Sequence, residues 1–513
     1  MGVIIRQSIK GTIVNYIGSF IGFITTFFII TRYLTTEEIG LTRVLLEVSG
    51  LFAGIAQLGT NSSVMRFFPY FKDPEKKDHG IFFWSLIVPL AGFLFFLILY
   101  LCLQGPITSF FSEKSPLFLD YSYYVIPLSF FLLYISVFET NSNVLYRIVV
   151  PKLIREVIIR LMLIVVYLLY AFRVLNLDGF IIAFCLTYGI ALCINIFYLF
   201  SLQRVSLKPD MEHITKPIRR DFLFYTLFLI TAALGGAITP SINTIFVSAR
   251  MGLSFTGVFA VATFIAAIIE IPYRSLGAIS QPHISQAIKD NDIKAANDLC
   301  KSVSLHQLLV GSFIFFFIWI NIDLIFAILP NGQEYVAGKW VVFIVGLSRL
   351  FNSAFSVGTS VLGYSKYYYF SLIFTFLLTG TAILLNIAWI PVWGLNGAAL
   401  ATLVSYVIYY FFLLGLVRWK IKTSPFSFKQ VVVVLIILAL FALNIIWEAY
   451  LSPLFLSLPM KPIWSNIVDG VISSVLFGVA GGLAVYHFKV SEQINSLVRK
   501  YWKKSLEWIH LKR

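Results

Sequence analysis

Long apolar runs alternate with short polar connections along the whole chain of 513 residues. Most runs are close to the length of about 20 residues that a helix needs to cross a bilayer. No hydrophilic stretch is long enough for a separate soluble domain. The pattern therefore predicts an all-α integral membrane protein with about fourteen transmembrane helices. The predicted spans lie near 11–33, 41–65, 81–103, 121–143, 153–173, 179–200, 222–247, 256–280, 303–327, 340–362, 369–390, 395–417, 431–451 and 466–487.

The composition agrees with this pattern, because 59% of the residues are hydrophobic and only 12% are charged. Soluble domains have about a quarter charged residues. This excludes a soluble enzyme and a single-span receptor with a large ectodomain. The four cysteines have neither a paired framework nor a metal-ligand spacing, and the six histidines are scattered. No metal site and no cofactor are predicted.

The formal charge of +15 comes from Lys and Arg residues that lie mainly between the apolar runs. With the N-terminus inside, 29 of the 39 basic residues fall on the cytoplasmic side and seven on the other. This is a strong positive-inside signal, and it predicts that both termini are cytoplasmic. The same distribution argues against nucleic acid as a partner and favours anionic lipid headgroups. The basic N-terminal segment resembles the start of a signal peptide, but it lacks a small-residue cleavage site and predicts a retained first span.

Two short motifs recur at nearly the same offset. LTTEEIG at 34–40 and MGLSFTG at 251–257 are 217 residues apart, and LDGFIIA at 177–183 and LNGAALA at 395–401 are 218 apart. The pattern predicts a duplication of six spans in parallel orientation, which implies two bundles with a cavity between them. The predicted parts are an N-lobe at 1–200, a cytoplasmic linker at 201–221, a C-lobe at 222–417, spans thirteen and fourteen at 418–487, and a basic amphipathic cytoplasmic tail at 488–513.

Three segments resemble a known transporter group: GTIVNYIGSFIGFITTFFIITRYLTTEEIG at 11–40, SQPHIS at 280–285 and WGLNGAALATLVSY at 393–406. They are similar to the polysaccharide-exporter branch of the multidrug/oligosaccharidyl-lipid/polysaccharide (MOP) superfamily, which includes Wzx-type flippases. MATE exporters and the lipid II flippase MurJ are its cousins. The resemblance implies a flippase that moves a polyprenyl-pyrophosphate-linked oligosaccharide, such as an O-antigen, capsule or exopolysaccharide repeat unit, to the outer leaflet.

Ionisable groups inside spans are costly and usually face the protein interior, so they are the first candidates for substrate contact. The candidate cavity cations are Arg43, Arg274, Arg349 and Arg160. Glu47, Glu139 and Glu270 are the candidates for charge compensation or ion coupling. Four of these residues form two pairs at i,i+4 spacing, Arg43 with Glu47 and Glu270 with Arg274. A local ion pair that stabilises the helix therefore explains them as well as a role in transport does. For Glu139 the sequence leaves two alternatives, an ion pair with Arg160 or the binding of a coupling cation.

Four neutral polar residues are further candidates for the transport cavity, and one predicted helix bend is a candidate for a hinge. Asn15, Gln57, Asn61 and Asn352 are candidates for a polar cavity, with interhelical hydrogen bonding as the alternative for the first three. Gly235, Gly236 and Pro240 fall within six residues of one span, where proline predicts a bend and a candidate hinge. A static kink is the alternative.

The residues therefore favour a flippase that works by alternating access without a nucleotide site, and they leave coupling to Na+ or H+ open. The expected partners are a lipid-linked oligosaccharide, membrane lipids and other membrane proteins of glycan assembly. A MATE-like cation-coupled drug exporter is the first alternative, although several intramembrane arginines argue against it. A membrane glycosyltransferase or polymerase would need external catalytic loops, which these short connections do not provide. A scaffold without transport would leave the buried charges unexplained.

Overall fold

The computed structural model describes residues 2–73, 75–202, 206–208, 210, 235, 237–239, 241–457, 462–493, 495, 496 and 499. Side chains are outside this description at 2–9, 12, 274, 275, 278 and 279. Most of the predicted linker, most of predicted span seven and most of the predicted tail also lie outside the described residues. Helices make up almost all of the part that is described, and it contains no β-strand.

The helices are, in chain order, α1 (Gly2–Ile24, continued by a π-helical turn at Thr25–Ile30), α2 (Thr36–Ala56), α3 (Thr60–Phe71), α4 (Ile81–Cys102), α5 (Gln104–Phe111), α6 (Pro116–Tyr121), α7 (Val125–Val144), α8 (Val149–Leu153, continued by a π-helical turn at Ile154–Ile158), α9 (Ile159–Ala171), α10 (Leu177–Ser201), α11 (241–251), α12 (Leu253–Ala267), α13 (Ile271–Lys289), α14 (Ile293–Ile320), α15 (Ile322–Ile328), α16 (Lys339–Phe355), α17 (Val357–Tyr364), α18 (Phe370–Lys420), α19 (Phe428–Ile446, continued by a π-helical turn at Trp447–Leu451), α20 (Ser452–Leu456) and α21 (Pro462–His487).

Ten helical segments in the described ranges are long and apolar enough to cross a membrane, or eleven if the bent pair Gly332–Phe355 and Val357–Tyr364 is one span. Large apolar side chains such as Phe95, Leu384 and Phe411 are more than 60% exposed on these segments, as expected for surfaces that meet lipid. The chain is therefore a multi-pass membrane protein.

The ten or eleven spans of the described ranges are fewer than the fourteen predicted, for three reasons. Predicted spans eleven and twelve are one helix, α18, which is broken at Gly394 where φ is +56°. Predicted span five corresponds to α8, its π-helical turn and α9, and this segment carries four charged residues, Lys152, Arg155, Glu156 and Arg160. Most of predicted span seven lies outside the described residues, so the count of fourteen stays a prediction.

The predicted boundaries of span two, 41–65, are wrong at both ends. The helix starts at Thr36 because Thr35 and Glu38 form a capping box, with Thr35 Oγ1 accepting from the Glu38 N–H at 3.2 Å. It ends at Ala56, where Leu58 and Gly59 adopt left-handed backbone conformations, and α3 follows at Thr60. This turn lies inside an apolar run, so hydropathy alone does not reveal it.

The chain divides into two compact units. Unit 1 comprises Met1–Ala262, Leu329–Gly338 and Leu372–Ser405, and unit 2 comprises Thr263–Ile328, Lys339–Ser371 and Tyr406–Arg513. In unit 1, α2 packs against α4 and α7, and α7 packs against α10. The lobe boundaries predicted from the repeat stay a prediction.

In unit 2, α14 packs against α13, α16 and α19. Phe316 of α14 is fully buried in the apolar cluster of this unit, which also contains Leu440 and Phe477. Ser304 of α14 also forms hydrogen bonds to two of these helices. It donates to the Ala354 carbonyl of α16 at 2.6 Å and accepts from Gln430 of α19 at 2.7 Å. These contacts fix α16 beside the start of α13, where the main charged group of this unit lies.

Candidate functional site

Glu270 lies at a break between two helices of unit 2. A short 3₁₀ turn, Ile268–Glu270, follows α12, and Pro272 occupies the first turn of α13, where a missing N–H costs no helical hydrogen bond. The proline therefore starts a new helix immediately after the carboxylate. Only 6% of Glu270 is exposed.

The carboxylate of Glu270 is held by two residues of α16. Arg349 Nη1 lies 3.3 Å from each of its oxygens, and Asn352 Nδ2 donates to Oε1 at 3.1 Å. Residues three apart lie on one face of a helix, so α16 presents both donors together. The Asn352 amide is oriented in turn, because its Oδ1 accepts from the Tyr410 hydroxyl at 2.7 Å. This group is called the Glu270 cluster below.

The guanidinium of Arg349 retains hydrogen-bonding capacity in this arrangement. Its Nε is buried and has no hydrogen-bond partner in the described protein, while the side chain as a whole is 33% exposed. Tyr406 lies within electrostatic range of both Arg349 and Glu270, and Tyr273 lies near Tyr406. Arg349 is therefore a paired cation with an unused donor and aromatic hydroxyl neighbours. The side chain of Arg274 lies outside the described residues.

Unit 1 contains a second charged group on α2. Arg43 Nη2 and Glu47 Oε1 are 2.6 Å apart, and Ser241 Oγ donates to Glu47 Oε2 at 2.7 Å. Arg43 is half exposed, whereas the Glu47 side chain is 16% exposed. In both units a glutamate carboxylate therefore contacts one arginine and one neutral donor, and the neutral donor comes from a different helix than the glutamate.

Glu139 and Arg160, which the sequence left open as a pair, have other partners. Glu139 accepts from Arg155 at 2.9 Å, and Arg160 bonds Glu156 at 3.1 Å. Arg160 Nη1 also donates to the Gly18 carbonyl of α1. The fold places Glu139 of α7 beside Arg155 of the π-helical turn, whereas Arg160 of α9 contacts α1.

The neutral polar candidates differ in their environments. Asn61 Nδ2 donates to Ser136 Oγ at 2.6 Å, which is the interhelical hydrogen bond considered as its alternative. Gln57 is the C-cap residue of α2, and Asn15 is exposed on α1. Asn352 alone of these four belongs to a charged cluster.

Of the predicted hinge, only Gly235 is described. A Cβ there would lie 2.6 Å from Thr375 Cγ2, and the Gly235 carbonyl accepts from Thr239 at 2.8 Å and from Thr379 at 3.3 Å. The glycine thus permits close packing against α18. Gly236 and Pro240 lie outside the described residues, and the hinge stays a prediction.

Sequence reasoning missed several polar residues that the fold brings together. Tyr410 and Ser241 complete the two charged clusters, and Asn386 Nδ2 donates to Asn243 Oδ1 at 2.9 Å in unit 1. Asn243 in turn donates to Thr402. A lone asparagine in an apolar run, such as Asn386, was the available signal. No group of three or more candidate metal ligands occurs in the described ranges.

Neither a protein-family model nor a curated protein sequence matches this chain. A structure of the lipid II flippase MurJ in an inward closed conformation matches with a TM-score of 0.68 at 14% identity, over 92% of this chain and 98% of that one.

The chain therefore has a helical fold like that of the MurJ structure.

Two further structures share this fold. An inward-facing MATE-family multidrug resistance transporter of the MOP superfamily matches with a TM-score of 0.60 at 14% identity, over 80% of this chain and 94% of that one. A MOP superfamily transporter from Pyrococcus furiosus, described as having a binding pocket of reversed polarity, matches with a TM-score of 0.55 at 14% identity, over 82% and 95%. The expected all-α, MATE-like membrane fold is thereby confirmed, whereas the two lobes and the count of fourteen helices stay predictions.

Proposed function

We propose that this protein is a flippase that moves a polyprenyl-pyrophosphate-linked oligosaccharide from the cytoplasmic to the outer leaflet by alternating access. The proposed cargo is an O-antigen, capsule or exopolysaccharide repeat unit. Such a molecule has an anionic pyrophosphate and a polar glycan, and neither enters hydrocarbon without protein contacts.

Two features of the fold support this proposal. The neighbours are transporters, and one of them is described as a flippase for a lipid-linked molecule. The MurJ match also covers more of this chain than the MATE match does, 92% against 80%. This difference suits a chain with two spans beyond the twelve of the predicted repeat.

The observation that carries the proposal is the state of Arg349. It is held beside a buried carboxylate, and its Nε donor is unused. Guanidinium binds phosphate with the same planar fork that it uses for carboxylate. A pyrophosphate can therefore replace Glu270 as the partner of Arg349, while Asn352 continues to hold the released carboxylate.

This exchange gives the paired glutamates a role in transport. A free buried arginine would bind an anion too tightly and would be costly between transport cycles. Pairing keeps the charge compensated when no substrate is bound. We propose the same arrangement for Arg43 with Glu47 in unit 1, and we retain Arg274 as a further substrate contact. Arg160 and Glu139 are paired to Glu156 and Arg155, so we assign them a supporting role.

The remaining proposals concern energy and environment. The sequence contains no P-loop pattern, so the driving force is an ion gradient (Na+ or H+), the membrane potential or consumption of the product. The bacterial inner membrane with both termini in the cytoplasm is the proposed location. Lipid-linked glycan, membrane lipids and other glycan-assembly membrane proteins are the proposed partners.

A cation-coupled drug exporter is the second candidate, because MATE-family transporters have the same fold. Such a protein binds cationic compounds and needs carboxylates that are available to them. In this chain Glu47 and Glu270 already hold arginines, which favours an anionic cargo.

A deletion strain separates the two functions. Loss of a flippase should make polyprenyl-pyrophosphate glycans accumulate on the cytoplasmic leaflet while surface polysaccharide disappears, and the wild-type gene should reverse both effects. Mass spectrometry of the accumulated lipid identifies the cargo. An unchanged lipid pool with intact surface glycan, together with new drug sensitivity, would instead support the exporter.

A further inference from the structure

Three short connections of unit 2 meet around one cavity of about 380 Å³. They are the turn between α13 and α14, the segment after α17 and the end of α18. The cavity is lined by Asn291, Tyr364, Lys366, Tyr367, Lys420 and Lys422, among others. Its volume lies in the usual range for small-molecule sites, roughly 300–1,000 Å³.

The local backbone brings the three lysines to this cavity. Helix α18 ends at Lys420, Ile421 is buried, and Lys422 has a left-handed conformation with φ of 61°. Lys366 comes from a separate connection more than fifty residues earlier in the chain. A cation at a helix C-terminus is favourable, and all three lysines lie at or just beyond the ends of α17 and α18. The helix dipole does not explain why the two helix ends bring their lysines to the same cavity.

The three lysines that line this cavity form no direct ion pair within the described protein. The acidic residues on either side of Asn291 accept hydrogen bonds from neutral donors and not from these lysines: Asp290 accepts from Gln286 at 2.9 Å, and Asp292 caps α14 by accepting from the Ala295 N–H. Three like charges around one cavity repel one another, and a bound anion would relieve that repulsion.

Aromatic residues indicate the depth at which the cavity lies. Trp419 is 70% exposed and Tyr364 is 44% exposed, and the Lys420 ammonium lies 3.5 Å from the Trp419 ring centroid. Exposed Trp and Tyr beside lysines are typical of the membrane–water interface. On the predicted orientation this interface is that of the cytoplasmic leaflet, which carries the anionic phospholipids.

We infer that this pocket binds the phosphodiester headgroup of an anionic phospholipid, with Lys366, Lys420 and Lys422 around the phosphate. The tyrosines at its edge supply hydroxyl donors for the glycerol portion. The inference does not rest on the proposed transport function, because it needs only a membrane and the charges of the pocket.

The test uses the full-length protein purified in a neutral detergent. Native mass spectrometry measures binding of phosphatidylglycerol and of phosphatidylcholine with the same acyl chains. The pocket variant is K366Q/K420Q/K422Q. The matched control is K289Q/K294Q/K429Q, which removes three basic residues of unit 2 that do not line the cavity. The melting temperature without lipid, equal in all three proteins, establishes that each variant is folded.

We expect the wild type to bind phosphatidylglycerol more tightly than phosphatidylcholine. The affinity of the pocket variant for phosphatidylglycerol should fall by on the order of fivefold for each lysine removed, so that the preference is lost. The control should bind as the wild type does. Equal losses in the two variants, or equal binding of phosphatidylcholine, would overturn the inference. Displacement of the phospholipid by inorganic phosphate would also overturn it and would assign the pocket to a soluble anion. Displacement by undecaprenyl pyrophosphate at a concentration below that of the phospholipid would overturn it too and would assign the pocket to the transport substrate.

Discussion

Gly40 and Gly257 make reciprocal contacts in unit 1. A Cβ on Gly40 would overlap the Leu253 carbonyl, and a Cβ on Gly257 would overlap the Thr36 carbonyl. The offset of 217 residues that relates the two glycines also relates Thr36 to Leu253. The contact between α2 and α12 is therefore symmetric, as expected where two copies of a duplicated segment pack on each other. This explains why both motifs end in glycine.

The first prediction follows from that contact. Gly40→Ala and Gly257→Ala should each destabilise the protein by about 1–3 kcal/mol, because a backbone carbonyl has little freedom to move away from the added methyl group. Gly50→Ala is the matched control, since it lies in the same helix with no heavy atom near its Cβ position. Thermal unfolding in detergent measures all three. Equal melting temperatures for Gly40→Ala and Gly50→Ala would contradict the close approach.

The second prediction concerns the Glu270 cluster. Glu270→Gln alone should leave Arg349 uncompensated and cost roughly 3 kcal/mol. The double variant E270Q/R349Q should recover much of that stability, because no unpaired charge remains. It should nevertheless fail to export glycan, since the anion-binding fork is gone. Unfolding and surface glycan are measured at matched expression.

An exposed ion pair of the same unit provides the control for this experiment. Lys339 and Asp323 are 2.7 Å apart, and the Asp323 side chain is 78% exposed. Exposed pairs contribute about 0–1 kcal/mol, so K339Q/D323N should retain both stability and export. Wild-type export by E270Q/R349Q would remove Arg349 from the transport mechanism.

The third prediction tests the orientation of Asn352. Tyr410→Phe removes the hydroxyl that donates to Asn352 Oδ1 and should cost about 1 kcal/mol. Export should fall because the amide no longer holds the Glu270 carboxylate in place. Tyr450→Phe is the control, since that side chain is 74% exposed. If Tyr410→Phe and Asn352→Ala have additive effects on export, the two residues do not act as one unit.

The fourth prediction addresses topology. In a background with all four cysteines replaced by alanine, Glu113→Cys should react with a membrane-impermeant maleimide in intact cells. Asn291→Cys should react only after permeabilisation, because the excess of basic residues assigns its connection to the cytoplasm. Both positions are exposed. The reverse labelling pattern would invert the predicted orientation.

The membrane class, most of the spans and the offset of the repeat follow from the sequence alone. These properties depend on the length and apolarity of local segments, which helix geometry and bilayer thickness translate directly into structure. The spacing of Gly40 and Gly257 belongs to this group, since a close helix contact requires the smallest residue on both copies.

The partners of the charged side chains follow from the packing of the helices and not from local sequence spacing. Glu270 has a neighbour at i+4 in Arg274, yet its described partners are Arg349 and Asn352, about eighty residues away. Glu139 bonds Arg155 rather than Arg160. Such pairings depend on the rotation and depth of packed helices, and these are set by side-chain packing across the whole unit rather than by local spacing. For the same reason hydropathy did not reveal Tyr410, whose role exists only because the fold places it beside Asn352.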